Sequence, residues 1–196
     1  MKLLVIGGGG REHAIIKALK KNPAVEEIFA LPGNGGIEGE ATCVNIGAKD
    51  IPAIVAFAKE HAIDFAVVAP DDPLVLGCVD ALQEKGIPCF GPEAKAAIIE
   101  GSKAFSKDLM KRYGIPTAKY ETFTELDAAL AYLDTQTAPI VVKADGLALG
   151  KGVTHGDPTS LAPHERLTDL AVVPREKPHT GAAAREQPRD SPVIER

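Results

Sequence analysis

The chain has 196 residues, of which 45% are hydrophobic and 25% are charged, so it can form one sizeable core or two small ones. Its net charge of -5 argues against a general surface for nucleic acid or anionic membranes, so any phosphate must meet a local basic cluster. Three cysteines without a Cys-x-x-Cys pair favour a reduced protein that lacks disulfides and structural zinc. With no signal-peptide pattern and no apolar run as long as a membrane span, the expected location is the cytoplasm.

The first predicted unit is a buried strand, a glycine loop and a helix. Residues 3–6 form a continuous apolar run, which is typical of a parallel strand covered on both faces. Residues 7–10 are all glycine, and apolar residues then recur at helical spacing from Arg11 onward. The loop can seat a phosphate group at the helix N-terminus, with Arg11 as a charge partner.

Strands and helices alternate through the first hundred residues. Extended segments are predicted at 28–31, 43–46, 65–69 and 88–90. Helices are predicted from Asp50, which caps the first of them, and at 73–85 and 92–100. This alternation predicts right-handed crossovers and a parallel sheet, and therefore an α/β fold.

A second region is predicted to begin after Gly101. Ser102 can cap a helix that runs to Tyr113, and a weak strand pattern follows at 117–120. Residues 124–127 resemble a capping box for another helix. The apolar run 140–142 predicts a strand that leads into the most informative loop of the sequence.

That loop, residues 143–153, reads KADGLALGKGV and has a lysine near each end. Exposed backbone N–H groups and two ammonium groups suit a polyphosphate. A Walker A loop is excluded, because Gly152 stands where Ser or Thr would hold Mg²⁺. An ordinary glycine-rich turn between two strands is the alternative.

The composition changes after Val153. Residues 154–196 contain five Arg, one Lys and six Pro but no aromatic residue. Such a segment buries too little apolar surface to offset its ordering entropy, so we expect a disordered tail. It would be either an interaction tail or the product of a shifted reading frame.

A dinucleotide site after the first strand is disfavoured. The Gly-x-Gly-x-x-Gly/Ala pattern needs a small residue where Glu12 stands, and no acidic residue ends the second strand to hold a ribose. His13, one turn into the helix, is expected to be structural.

Two polar segments follow predicted parallel strands at the edge where ligands bind in open α/β sheets. They contain Asn34 with Gly35, and Asp71 with Asp72. The alternatives are a surface turn and a helix N-cap, respectively. Lys103, near a helix start where a cation is poorly placed, indicates either an external anion or a solvated lysine.

Together these motifs resemble the phosphoribosylamine-glycine ligase (glycinamide ribonucleotide synthetase) family, whose members are ATP-grasp enzymes of purine biosynthesis. The resemblance spans residues 1–153. It is carried by segments 5–13, 32–36, 70–75, 90–92, 100–103 and 143–153. Asp71 stands where the family more often has Glu.

The resemblance implies a Rossmann-like, pre-ATP-grasp parallel-sheet domain over 1–101, which would bind phosphoribosylamine. The beginning of an ATP-grasp domain would cover 102–153, and the tail 154–196 would match nothing in the family. The implied reaction joins glycine to 5-phosphoribosylamine at the expense of ATP, with Mg²⁺ or Mn²⁺. Neither a nucleic acid, a membrane nor a protein partner is implied.

The family pattern also implies site residues. Those for ATP are Lys103, Lys143, Asp145, Gly146, Gly150, Lys151 and Gly152. Those for the substrate are Gly9, Gly10, Arg11, Glu12, Asn34, Gly35 and Asp71. No catalytic residue or metal ligand is assigned, since the family's metal ligands lie beyond the matching region. We therefore expect a chain that is inactive alone, or a fragment that only binds substrate. We also expect the strands near Thr117 and Ile140 to lack sheet partners.

Overall fold

The computed structural model describes residues 1–136, 140–147, 153–156 and 193–195. The chain divides into two compact units, Met1–Gly101 and Ser102–Arg196. Within the described residues, no helix has both the length and the apolar character needed to cross a bilayer.

The first unit is built on a five-stranded parallel sheet. Its strands are β1 (Lys2–Gly7), β2 (Glu27–Pro32), β3 (Thr42–Cys43), β4 (Phe65–Val68) and β5 (Cys89–Phe90). The spatial order is β3-β2-β1-β4-β5, and every neighbouring pair is parallel. This order is the one found in Rossmann-type sheets. It confirms the predicted α/β class.

Successive residues of β1 point to opposite faces of this sheet and enter two separate cores. Leu4 and Ile6 belong to one apolar cluster, whereas Leu3 and Val5 belong to the other. All four are buried. Because both faces are covered, the strand has no polar alternation, which explains the continuous apolar run in the sequence. Burial of each such side chain is worth about 1.5–3 kcal/mol relative to exposure.

Five helices accompany this sheet, four of them between its strands and the fifth after β5. They are α1 (Gly10–Leu19), α2 (Ile51–Glu60), α3 (Asp71–Val75), α4 (Cys78–Gln83) and α5 (Ala94–Gly101). The predicted cap of α2 is confirmed, since an Asp50 carboxylate oxygen accepts a hydrogen bond from Ala53 N at 3.1 Å. The single helix predicted over 73–85 is wrong. Gly77 adopts φ 81° and separates α3 from α4.

In its described residues, the second unit contains an antiparallel sheet and two helices. Its elements are α6 (Lys103–Arg112), β6 (Tyr120–Thr122), α7 (Leu126–Asp134), β7 (Ile140–Lys143), β8 (Val153–Gly156) and β9 (Val193–Glu195). The strand order is β6-β9-β7-β8. Ser102 caps α6 as predicted, because its hydroxyl accepts a hydrogen bond from Phe105 N at 3.1 Å. The predicted capping box is absent, because Glu125 is the N-cap of α7 and makes no side-chain cap bond.

The prediction of unpaired strands in this unit is wrong. Strand β7 is paired on one side with β8 and on the other with β9, and β6 pairs with β9. Strand β9 and most of β8 come from the segment whose composition predicted disorder. The rest of that segment, residues 157–192 and 196, lies outside the described residues.

Candidate functional site

The glycine loop after β1 and the loop after β2 are joined by hydrogen bonds. Gly33 N donates to Gly7 O at 3.2 Å, and Asn34 Nδ2 donates to Gly8 O at 2.6 Å. A Cβ atom on Gly8 would collide with the carbonyl oxygen of Gly33. The two loops that the sequence placed at one edge of the sheet therefore lie side by side, and glycine is needed at position 8 for the close approach.

The side chain of Asn34 shapes this pair of loops. Its Oδ1 accepts hydrogen bonds from Gly36 N at 2.7 Å and Ile37 N at 3.1 Å, while its Nδ2 is bound to Gly8. Both ends of the amide are thus bound to backbone groups, in the manner of an Asx turn. Gly35, next to Asn34, is exposed and has open space around it.

Glu12 is the buried acidic group at the start of α1. Its Oε2 accepts a hydrogen bond from Gly9 N of the loop at 2.7 Å, and its Oε1 accepts one from Arg11 Nε at 3.0 Å. The residue is only 3% exposed, and its carboxylate fills the place that a small residue leaves open in a dinucleotide fingerprint. A carboxylate in the first helical turn is favourable against the helix dipole. The neighbouring positions Gly10 and Arg11 are exposed.

Asp71 begins α3, separated by two residues from the end of strand β4 and at the same edge of the sheet. The N-cap of α3 is Pro70, without a side-chain cap bond, so the N-cap alternative for Asp71 does not hold. Asp72 is bound instead in an ion pair with Lys49 at 2.7 Å. Asp71 itself is exposed.

The second unit brings the start of α6 to the segment that follows β7. The Asp145 carboxylate is 7% exposed and accepts three hydrogen bonds. The donors are Ser102 Oγ at 3.0 Å, Lys103 N at 2.5 Å and Ala104 N at 3.2 Å. The carboxylate therefore caps the helix from a position more than forty residues later in the chain.

Lys103 is held at the same place by its side chain. Its ammonium donates to the carbonyl oxygen of Gly146 at 2.7 Å. Lys143, the last residue of β7, precedes Asp145 by two positions and is partly buried. The resemblance assigns both lysines to nucleotide phosphates. Lys103 contacts Gly146 directly, and Lys143 lies two residues before Asp145 in the chain. Gly150, Lys151 and Gly152 lie outside the described residues.

The sequence did not indicate two of these contacts. The Asp145 carboxylate, which the resemblance assigns to ATP, accepts hydrogen bonds from the start of α6. The Asn34 amide, which the resemblance assigns to the substrate, is hydrogen-bonded to the two neighbouring loops. The pairing of Asp145 with the N-terminus of α6 carries no local signal, because the two segments are far apart in sequence. For Asn34, the preference of Asn for turns was the available signal.

The match of residues 101–165 to an ATP-grasp (A) domain model places the chain in the ATP-grasp class. The solved structure of N5-carboxyaminoimidazole ribonucleotide synthetase from Thermotoga maritima has this fold, with a TM-score of 0.62 at 19% identity over 99% of this chain and 45% of that one. The phosphoribosylamine-glycine ligase structure from the same organism superposes with a TM-score of 0.70 at 26% identity, over 100% of this chain and 43% of that one.

The chain belongs to the phosphoribosylglycinamide synthetase family. The model of the family's N domain matches residues 1–100, and that of its ATP-grasp (A) domain matches residues 101–165. The second match continues past Val153, where the resemblance in the sequence was expected to stop.

Two curated relatives give the extent of the likeness. The phosphoribosylamine-glycine ligase of Allochromatium vinosum is 53% identical over 164 residues, which are 83% of this chain and 38% of the relative. The ligase of Vibrio cholerae is 55% identical over 155 residues, which are 78% of this chain and 36% of the relative. The chain therefore spans less than two-fifths of the length of these relatives.

Proposed function

We propose that this chain takes part in the ATP-dependent joining of glycine to 5-phosphoribosylamine in purine biosynthesis. The observation that carries the proposal is a hydrogen bond at the start of the glycine-rich loop. The Lys103 ammonium donates to Gly146 O at 2.7 Å. Family membership supports the same assignment. ADP complexes of structural neighbours, such as that of N5-carboxyaminoimidazole ribonucleotide synthetase, support a nucleotide as the ligand class.

In the proposed reaction, a glycine carboxylate oxygen attacks the γ-phosphorus of ATP, and the bond to the β-phosphate oxygen breaks to release ADP. The amine nitrogen of 5-phosphoribosylamine then attacks the acyl carbon. The carbon–oxygen bond to the phosphate breaks, the nitrogen loses a proton, and glycinamide ribonucleotide and phosphate are formed. Such a reaction needs positioned reactants and offset negative charge more than a protein nucleophile.

We assign the phosphate groups of ATP to Lys103 and Lys143. Ammonium groups on lysines act as point charges and suit a phosphate chain whose oxygens share the charge. Lys103 already has an oxygen partner in Gly146 O, so a phosphate oxygen would replace or join a ligand of the same kind. The backbone of Gly146 would line the same phosphate site.

We assign 5-phosphoribosylamine to the paired loops of the first unit. Gly10 at the start of α1 and the exposed Arg11 guanidinium suit its phosphate group. Exposed Asp71, at the same sheet edge, suits a hydroxyl or amine of the sugar. The remaining residues of this assignment shape the loops or line them: Gly9, Glu12, Asn34 and Gly35.

The family resemblance also implies Mg²⁺ or Mn²⁺. Across the parts of the chain that the structure describes, no cluster of three or more His, Cys, Asp and Glu side chains could hold a metal ion. Asp145 offers no alternative, because its carboxylate already accepts three hydrogen bonds. These residues do not fit a metal held by protein ligands, and no step is assigned to one.

The test is calorimetric binding of glycinamide ribonucleotide, the stable product, to the 196-residue chain. We expect saturable binding that Arg11→Ala weakens by about tenfold, as for loss of one charged hydrogen bond. Lys21→Ala, on the loop after α1, is the matched control and should leave binding unchanged.

Absence of binding, or equal effects of the two variants, would contradict the assignment. Supplying ATP, glycine and 5-phosphoribosylamine to the same chain then separates two functions. Phosphate release that needs both substrates identifies ligation, whereas binding without release identifies a substrate-binding chain.

A further inference from the structure

The Asp145 carboxylate is occupied by hydrogen bonds within the second unit. One oxygen accepts from the backbone N–H groups of Lys103 and Ala104, and the other accepts from the Ser102 hydroxyl. The residue is 7% exposed. A buried carboxylate with these partners would repel a triphosphate if the two met directly, so a direct contact with nucleotide is unfavourable.

The same contacts fix Lys103 at both of its ends. Its backbone nitrogen is bonded to Asp145, and its ammonium is bonded to the carbonyl oxygen of the next residue, Gly146. These two bonds close a ring between the first residue of α6 and the segment that follows β7. An exposed lysine side chain has many rotamers. This ring restricts the Lys103 side chain to fewer of them.

Electrostatics explain why a carboxylate is needed at this point. The N-terminus of α6 carries partial positive charge, which disfavours an ammonium group beside it. The Asp145 carboxylate lies on those N–H groups and offsets this repulsion. Without it, Lys103 would be better placed in solvent, away from the helix start.

We propose that Asp145 is a positioning residue, which holds the Lys103 ammonium where the nucleotide phosphates bind and does not itself contact the nucleotide. This rests on the proposed function, in which Lys103 binds phosphate. The alternative is that Asp145 only stabilises the fold as a helix cap. The two differ in whether its loss acts on Lys103 selectively.

The test is the rate at which an amine-acetylating ester modifies each lysine of the full chain, measured by peptide mass spectrometry. Asp145→Asn keeps the size of the side chain but removes its charge. We expect it to raise the modification rate of Lys103 by about tenfold, the change expected when the ammonium leaves its charged hydrogen bond to Gly146 O. Lys111, exposed in the last turn of the same helix, is the internal control and should not change.

A selective increase at Lys103 supports the proposal. An unchanged rate at Lys103, or an equal increase at Lys111, overturns it, since the second result would mean general loosening. If Asp145→Asn does not fold, Ser102→Ala removes one of the three bonds to the carboxylate together with the cap bond from Phe105 N, and it must raise the Lys103 rate over that of Lys111. No selective increase in that variant overturns the proposal as well.

Added ADP separates this proposal from the proposed function. Protection of Lys103 by ADP in the unchanged chain supports phosphate binding at this lysine. If ADP gives no protection while Asp145→Asn still exposes Lys103, the link between Asp145 and Lys103 stands and the nucleotide assignment fails. If ADP protects Lys103 equally well in Asp145→Asn, the positioning role fails and the nucleotide assignment stands.

Discussion

Asn34→Asp tests how the two glycine loops of the first unit are held together. The substitution keeps an oxygen that can accept from Gly36 N and Ile37 N, but it replaces the Nδ2 group that donates to Gly8 O at 2.6 Å. An oxygen then faces an oxygen across that distance. Loss of the bond costs about 0.5–1.5 kcal/mol, and the unpaired acceptors bring the total to about 1–3 kcal/mol. Because Asn34 is exposed, the lower half of that range is expected.

The assay is urea unfolding followed by circular dichroism, together with hydrogen exchange of the loop amides. Exchange at Gly33, which donates to Gly7 O, should become faster in Asn34→Asp. Asn22→Asp is the matched control, because the Asn22 side chain is bonded through its oxygen to Ala24 N. If Asn34→Asp lowers the free energy of unfolding no more than Asn22→Asp does, the bond to Gly8 does not hold the loops and the reasoning is refuted.

Two further outcomes are expected from packing in the first unit. Gly8→Ala should lower the free energy of unfolding by about 1–3 kcal/mol, because its Cβ would meet Gly33 O, whereas Gly10→Ala has open space and should be near neutral in urea unfolding. Equal effects would contradict the close approach of the loops. Burial raises the pKa of Cys78 to about 12 and that of Cys89 to about 11. At pH 8 only roughly one such thiol in a thousand or fewer would be ionised. A disulfide reagent should therefore modify both cysteines far more slowly in buffer than in urea. Equal rates in the two solvents would contradict their burial.

The sequence predicted the parts of the fold whose signals are local. Strand β1 is recognisable because its residues are buried on both faces and leave a continuous apolar run. Asp50 and Ser102 are recognisable as caps because a short polar side chain directly before a helix can reach its first N–H groups. The break at Gly77 was missed because a helical pattern tolerates an isolated glycine, so the residue alone does not mark the end of a helix.

The missing information concerned pairs of residues that are distant in sequence. Nothing local to strand β7 indicates that it pairs with residues 193–195, and composition alone predicted disorder there. In the candidate site, an Asp within a glycine-rich loop is compatible with a ligand contact or with a bond to α6. Only the fold shows that Asp145 reaches the backbone of Lys103. The order of motifs identified the family, whereas the role of each side chain within it required geometry.

The dissociation constant for ADP tests most directly whether Lys103 binds nucleotide phosphate. Titration of the full chain should give saturable binding, and Lys103→Ala should weaken it by about tenfold or more, the loss expected for a charged hydrogen bond. Lys111→Ala removes an equal charge from the other end of α6 and should change the constant by less than about twofold. The account is contradicted if ADP does not bind, or if Lys103→Ala binds it as tightly as Lys111→Ala does.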